Sequence, residues 1–126
     1  MIIIGDSLVP FEEIFNISNI ESIKNTKANS LVAFNYEEEL LKYCYENDVR
    51  CLIKVDNIKQ AIYCNSLKAD FIVSDFKLAT AIQKIADNYM FDAKNLCVIE
   101  NNDSFEDVAN NEIDGVIYAV LLDNKW

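Results

Sequence analysis

Short aliphatic runs, apolar on both faces, recur along this chain and alternate with capped helical segments. The runs are Ser30-Leu31-Val32-Ala33-Phe34, Cys51-Leu52-Ile53-Lys54-Val55, Phe71-Ile72-Val73, Leu96-Cys97-Val98-Ile99 and Gly115-Val116-Ile117-Tyr118-Ala119-Val120-Leu121. A strand with one wet face alternates apolar and polar residues, whereas a strand covered on both faces reads as a continuous apolar run. Helix-start signals follow the runs. Asn35 with Glu38, Asn57 with Gln60 and Ser104 with Asp107 have the spacing of a capping box, in which cap and third helical residue satisfy each other's backbone N–H groups. Asp75 can cap a long helix from Phe76 to about Tyr89. Before Ser30 the pattern is weaker: Ile2–Ile4 and Ile14–Ile17 read as strands, and Asn19 caps a short helix carrying Ile20 and Ile23. Strand, cap and helix in repetition predict one α/β domain over residues 1–126. Its sheet is mainly parallel, with about five to six strands and right-handed crossovers.

Two architectures fit this order. One is an open, doubly wound, flavodoxin-like sheet with helices on both faces. The other is a partial barrel with helices on one face. The steady units from Ser30 to Leu122 resemble the βα modules of (βα)8-barrel enzymes over about three quarters of the chain. The likeness is architectural, so it implies a fold and no activity.

Two shorter likenesses carry chemistry. Gly5-Asp6-Ser7-Leu8 spells the signature of GDSL hydrolases, which would make Ser7 a nucleophile. That family also needs a histidine base, and the chain contains no histidine, so Ser7 reads as a turn residue. Response-regulator receiver domains are similar in length and end a strand on an aspartate, as Asp56 does here. They also carry paired acids after the first strand and a lysine after the fifth, where this chain has Asp6 alone and Ile99-Glu100-Asn101-Asn102.

Composition narrows the classes further. The absence of histidine removes Ser-His-Asp and Cys-His catalysis, His-ligated zinc and histidine phosphorelay. A net charge of −10 opposes nucleic acid and anionic membranes. No apolar stretch approaches the roughly 20 residues of a membrane span, and the N-terminus has no signal-peptide pattern, so a cytoplasmic protein is expected. With 2 glycines in all there is no glycine-rich phosphate loop, and no nucleotide or other cofactor is expected. The cysteines at 44, 51, 64 and 97 form no C-x-x-C pair and sit on apolar faces, where reduced core thiols are expected rather than a disulfide framework or metal site.

The candidate ligand-binding residues lie at predicted strand ends and helix starts. Lys54 and Asp56 fall at the end of one strand, and Asp75 and Lys77 follow another. Parallel α/β folds bind ligands beyond the carboxyl ends of their strands, and Asp56, Asp75, Glu100 and Asp123 could gather there around Mg2+. The same acids have a structural account as caps and solvated loop residues, and no metal is assigned. Lys54, inside a strand, could form a Schiff base if desolvated, or pair with an acid and reach for water. The helix after Asp75 is apolar over more than the single stripe a sheet-packed helix needs. With Tyr43, Tyr45 and Tyr63 it implies a surface for a partner. The expected function is protein–protein association without catalysis, most simply as a homodimer. A partial-barrel enzyme or ligand-binding protein is the alternative.

Overall fold

The computed structural model describes residues 1–122. Its strands are β1 (Ile2–Ile4), β2 (Ile14–Asn16), β3 (Leu31–Asn35), β4 (Arg50–Lys54), β5 (Phe71–Ser74), β6 (Lys94–Ile99) and β7 (Gly115–Tyr118). Its helices are α1 (Ile20–Lys24), α2 (Glu38–Glu46), α3 (Ile58–Ser66), α4 (Phe76–Asn88) and α5 (Phe105–Asn110). The strands form one sheet in the order β1-β7-β6-β5-β4-β3-β2, parallel at every pairing. Seven strands form it rather than the expected five to six, because both weakly patterned N-terminal segments, β1 and β2, join the five apolar runs as 3-residue strands. Among the described residues no helix is long and apolar enough to cross a membrane.

The sheet is curled into a half-barrel, and its side chains show why. On one face Ile4, Leu31, Ala33, Leu52, Val73, Leu96 and Ile117 pack on one another with no helical residue among them. On the other face Val32, Phe34, Cys51, Ile53 and Ile72 meet α2, α3 and α4, while Cys97, Ile99 and Val116 meet α4 and α5. All five helices therefore lie on the convex side, and the doubly wound alternative fails. Apolar residues on both strand faces are satisfied by helices outside and by the curled sheet itself inside.

Helices α2 to α5 end in one recurrent way. Asp48, Lys68, Met90 and Glu112, each just past its helix, adopt φ of 53°, 64°, 50° and 57°. The next backbone N–H then reaches back to the last turn: Val49 to Cys44, Ala69 to Cys64, Phe91 to Ala86 and Ile113 to Val108. This is the Schellman closure, with its apolar residue after the left-handed one. It turns the chain into the next strand without glycine. The starts are less uniform. Asn19, Asn57 and Asp75 cap as expected, accepting from the backbone N–H of Ser22, Gln60 and Leu78. Asn35 does not: it ends β3, and Glu37 precedes α2 without a side-chain cap bond. Ser104 does not cap either, since a 3-10 turn over Asn102–Ser104 leads into α5 and Asn101 caps that turn.

Two contacts fix the β6–β7–β1 end of the sheet. Gly115 lies so close to β1 that a Cβ there would stand 2.4 Å from the Ile2 carbonyl oxygen. Beneath α4, Gln83 is 3% exposed and Asn95 fully buried. Gln83 Nε2 donates to Asp87 and Asp114, and its Oε1 accepts from Asn95 Nδ2 and the Asp114 backbone N–H. Asn95 Nδ2 also donates to the Ala79 carbonyl, and its backbone N–H to Asp114. A buried glutamine is tolerated because its polar atoms are satisfied.

All four cysteines are buried free thiols. Burial pushes Cys64 up to about 12 and Cys97 up to about 11. A hydrogen bond between Cys51 and Cys44 raises the former and lowers the latter.

Candidate functional site

Parallel strands aim their carbonyl ends at one rim of the half-barrel, and Lys54 is the last residue of β4. By the two-residue period it shares the concave face with Leu52. Asn35, its register partner on β3, lies on the same face, as does Asn16, paired with Ala33. These three polar residues line a narrow crevice of about 10 Å3 with Ala33, Leu52 and Leu122, a space no larger than one water molecule needs.

The crevice is narrow because the chain after β7 turns back over it. A 3-10 turn runs over Ala119–Leu121, and Leu121 and Leu122 pack against the concave cluster with Ile2 and Ile14. The Leu121 carbonyl accepts from Asn16 Nδ2 at 2.9 Å. Nearby, the Tyr118 hydroxyl donates to Asp6, whose other carboxylate oxygen accepts from the Leu8 backbone N–H. These bonds hold Asp6 below the usual carboxylate range and push Tyr118 up to about 12. Gly5, at φ of +103°, makes the turn after β1, so Gly5-Asp6-Ser7 is a sharp corner with Ser7 exposed.

The other expected site residues stand apart from the crevice. Asp56 is exposed beyond the end of β4, and its backbone N–H donates to Gln60. Asp75 is spent as the cap of α4, Lys77 is exposed in that helix's first turn and Glu100 is exposed beyond β6. Asp123 lies outside the described residues. Among the described residues no three His, Cys, Asp or Glu side chains come together as a metal site. Asn16 and Asn35 escaped the sequence reading. The Asn35–Glu38 spacing reads as a capping box, although the two-residue offset of Asn35 from Ala33 marks the inner face. Asn16 stood in a strand too short to trust.

On the convex side, α2 and α3 enclose an open groove of about 420 Å3, walled by Tyr36, Leu41, Tyr45, Tyr63 and Leu67 with Glu38, Lys42 and Glu46 alongside. Tyr45, Ile62 and Tyr63 are 45%, 45% and 50% exposed. Of the expected aromatic patch, Tyr43 is instead packed partly buried against the core. The surplus apolar surface of α4 is partly internal: Ala79, Ile82 and Ala86 are buried and Leu78 joins the core between helices, leaving Phe76 and Tyr89 exposed at the helix ends.

At the opposite, N-terminal end of the strands Arg50 forms a bidentate pair with Glu12 and reaches Asp70 at 3.3 Å. It pins the loop before β2 beneath the sheet and lowers Glu12 through the hydrogen bond. Burial raises Asp70 against the pull of Arg50. Compared with known proteins, the chain matches no protein-family model and no curated protein.

Proposed function

We propose that this chain acts by protein–protein association rather than catalysis, and that its first partner is a second copy of itself, docked through the groove between α2 and α3. The observation that carries this reading is the groove itself: an open, tyrosine-walled surface with Ile62 and Tyr63 exposed beside it. Exposed aromatic surface of this kind marks interaction sites. The charges along α2 suit a two-fold partner. Glu38, Lys42 and Glu46 recur every 4 residues, so antiparallel helices related by a two-fold axis at Cys44 bring Lys42 toward Glu46 of the partner subunit. The cramped crevice at the strand ends favours the same reading, because small-molecule sites are roomy. Buried, unpaired thiols fit a reducing, cytoplasmic setting.

Sedimentation velocity at tens of micromolar tests this. Since each copy carries −10, dimers should gain population as added salt screens that repulsion. Tyr63→Lys, at an exposed position, should return the chain to monomer with its melting transition intact. A monomer at both low and high salt would sink the proposal.

One observation favours a second reading, a site for a small ligand: Asn16, Asn35 and Lys54 share the concave face at the strand ends.

A further inference from the structure

We propose that Cys44 and Cys51 form an oxidation site, a thiol pair that a hydroperoxide entering the cavity beside the end of α2 converts to an intrachain disulfide. This does not rest on the association reading.

The fold brings the pair together. At the end of α2 the Cys44 carbonyl accepts from the Val49 backbone N–H at 2.9 Å, and β4 begins at Arg50. The chain doubles back within those few residues, so Cys44 on α2 and Cys51 on β4 enter the same layer of the core, between helices and sheet. There the two thiols share a hydrogen bond. Thiols in such contact already face one another, which is the arrangement a disulfide needs. Cys64 lies in the same layer, while Cys97 belongs to the separate cluster under α4 and α5.

Cys44 is the member that an oxidant meets first. An open cavity of about 410 Å3 lies at the N-terminal end of the strands, and Cys44 is on its wall with Glu46, Asp48, Arg50, Lys68 and Asp70. That volume admits a molecule as small as hydrogen peroxide. The thiolate is the reactive form of cysteine. By donating to Cys44, Cys51 favours the Cys44 thiolate more than burial opposes it, and its own thiol is raised. Cys64, with no exposed surface, is held up at about 12 by burial. Cys97 is held at about 11, by burial and by Asp75.

The chemistry balances with a hydroperoxide as the oxidant. The Cys44 thiolate attacks one peroxide oxygen, so that the S–O bond forms and the O–O bond breaks. The departing oxyanion takes up a proton and leaves as water or an alcohol. Cys51 then gives up its proton and attacks the Cys44 sulfur. The S–S bond forms, the S–O bond breaks, and hydroxide leaves with that proton as water. The two sulfurs have lost two electrons, which the peroxide has gained. A dithiol reverses the change, returning both thiols and becoming a disulfide itself.

Hydrogen peroxide added to the full, folded chain tests the site. Remaining thiols are alkylated with N-ethylmaleimide after denaturation, and tryptic peptides are read by mass spectrometry. Trypsin cuts after Lys42 and Arg50, so the disulfide joins peptide 43–50 to peptide 51–54. This linked species should appear on oxidation and vanish with dithiothreitol. Cys44 should leave the alkylated pool at least about tenfold faster than Cys64 or Cys97, the factor that one pKa unit makes in thiolate fraction. Unfolding in urea should erase that lead. In Cys51→Ala, peroxide should leave Cys44 as a sulfenic acid that dimedone captures. Oxidation of Cys64 or Cys97 as fast as Cys44 overturns the proposal, and so does a lead that survives in urea. A bridge from Cys44 to any cysteine other than Cys51 of the same chain, or no dimedone adduct in the folded variant, does the same. The main readout uses the natural chain, so it decides the matter even if Cys51→Ala fails to fold.

Discussion

Replacing the left-handed residues that close α2 to α5 with glycine should stabilise the protein. Asp48, Lys68, Met90 and Glu112 hold φ between 50° and 64°, where a Cβ crowds the following carbonyl at a cost of roughly 1–2 kcal/mol. Glycine removes that clash but gives the unfolded chain more freedom, which offsets about 0.5–1 kcal/mol. Each of Lys68→Gly and Met90→Gly should therefore gain about 0.5–1 kcal/mol, or roughly 2–5 °C in melting temperature for a chain of this size. Both side chains are exposed, Met90 at 84%, so neither substitution opens a cavity. The four helix ends are separate, so the quadruple variant should approach the sum, about 2–4 kcal/mol. Urea and thermal unfolding measure the gain. Lys84→Gly, at an exposed position inside α4, is the opposite control and should lose about 1 kcal/mol. Lys68→Val should also destabilise, since a β-branched residue tolerates the left-handed region poorly. If Lys68→Gly and Met90→Gly both lower the melting temperature as Lys84→Gly does, the account of these helix ends is wrong.

Other contacts give equally direct expectations. Gly115→Ala places a Cβ 2.4 Å from the Ile2 carbonyl oxygen and 2.6 Å from its Cβ; it should cost about 2–3 kcal/mol by overpacking, with faster hydrogen exchange confined to β1 and β7 if the account holds. Gln83→Met removes four hydrogen bonds at 2.9–3.1 Å and strands buried donors, so a loss of about 3–5 kcal/mol is expected; a loss under about 1 kcal/mol in urea unfolding would show that the network contributes little. The Asp6–Tyr118 bond has opposite signs at the two ends of the pH scale. Asp6 is lowered in the fold, so its contribution is present above the ordinary carboxylate range and is lost on acidification through the folded value. Tyr118 is raised to about 12, so its contribution is intact below the ordinary value of about 10 and is lost as pH rises through the folded one. In Asp6→Asn the phenolate absorbance of Tyr118, isolated by difference from Tyr118→Phe, should appear at lower pH; an unmoved titration would refute the bond.

The repeat from β3 to β7 was legible because each unit carries its own punctuation. An apolar run too short for a helix, an asparagine or aspartate cap, and a polar stop recur together, and these are local signals. Whether the sheet curls was not local. Leu31, Ala33, Leu52 and Val73 would look the same under a second helical layer as they do inside a barrel. Only their contact with one another, with every helix on the opposite face, decides between the two. Gln83 and Asn95 were hidden for a related reason. Each breaks an apolar stripe, and the break makes sense only once α4 is seen to lie over β6 with Asp114 at its foot. The strand-end acids read as a possible site because sequence reports that they follow strands and not where they point. Asp75 is turned back to cap its helix, and Asp56 is carried past the strand end into the turn before α3.

The curl also bears on the proposed association. A doubly wound sheet buries both faces under helices and leaves a crevice at its topological switch point. Here the strands from β2 to β7 run in sequence around the curve and β1 returns beside β7, so the order offers no such crevice in its middle. The concave face is filled by its own side chains, and Leu121 and Leu122 pack against it. On the convex helical surface the stripes facing the sheet are already buried. The proposed contact uses apolar residues that point away from the sheet: Ile62 and Tyr63 on α3, with Tyr45 on α2, point that way beside an open groove. Glu38, Lys42 and Glu46 along that groove carry both signs of charge within a chain of net −10. Under the proposed association, that mixture would let two like-charged copies approach at this face while the acid-rich remainder of the surface keeps them apart.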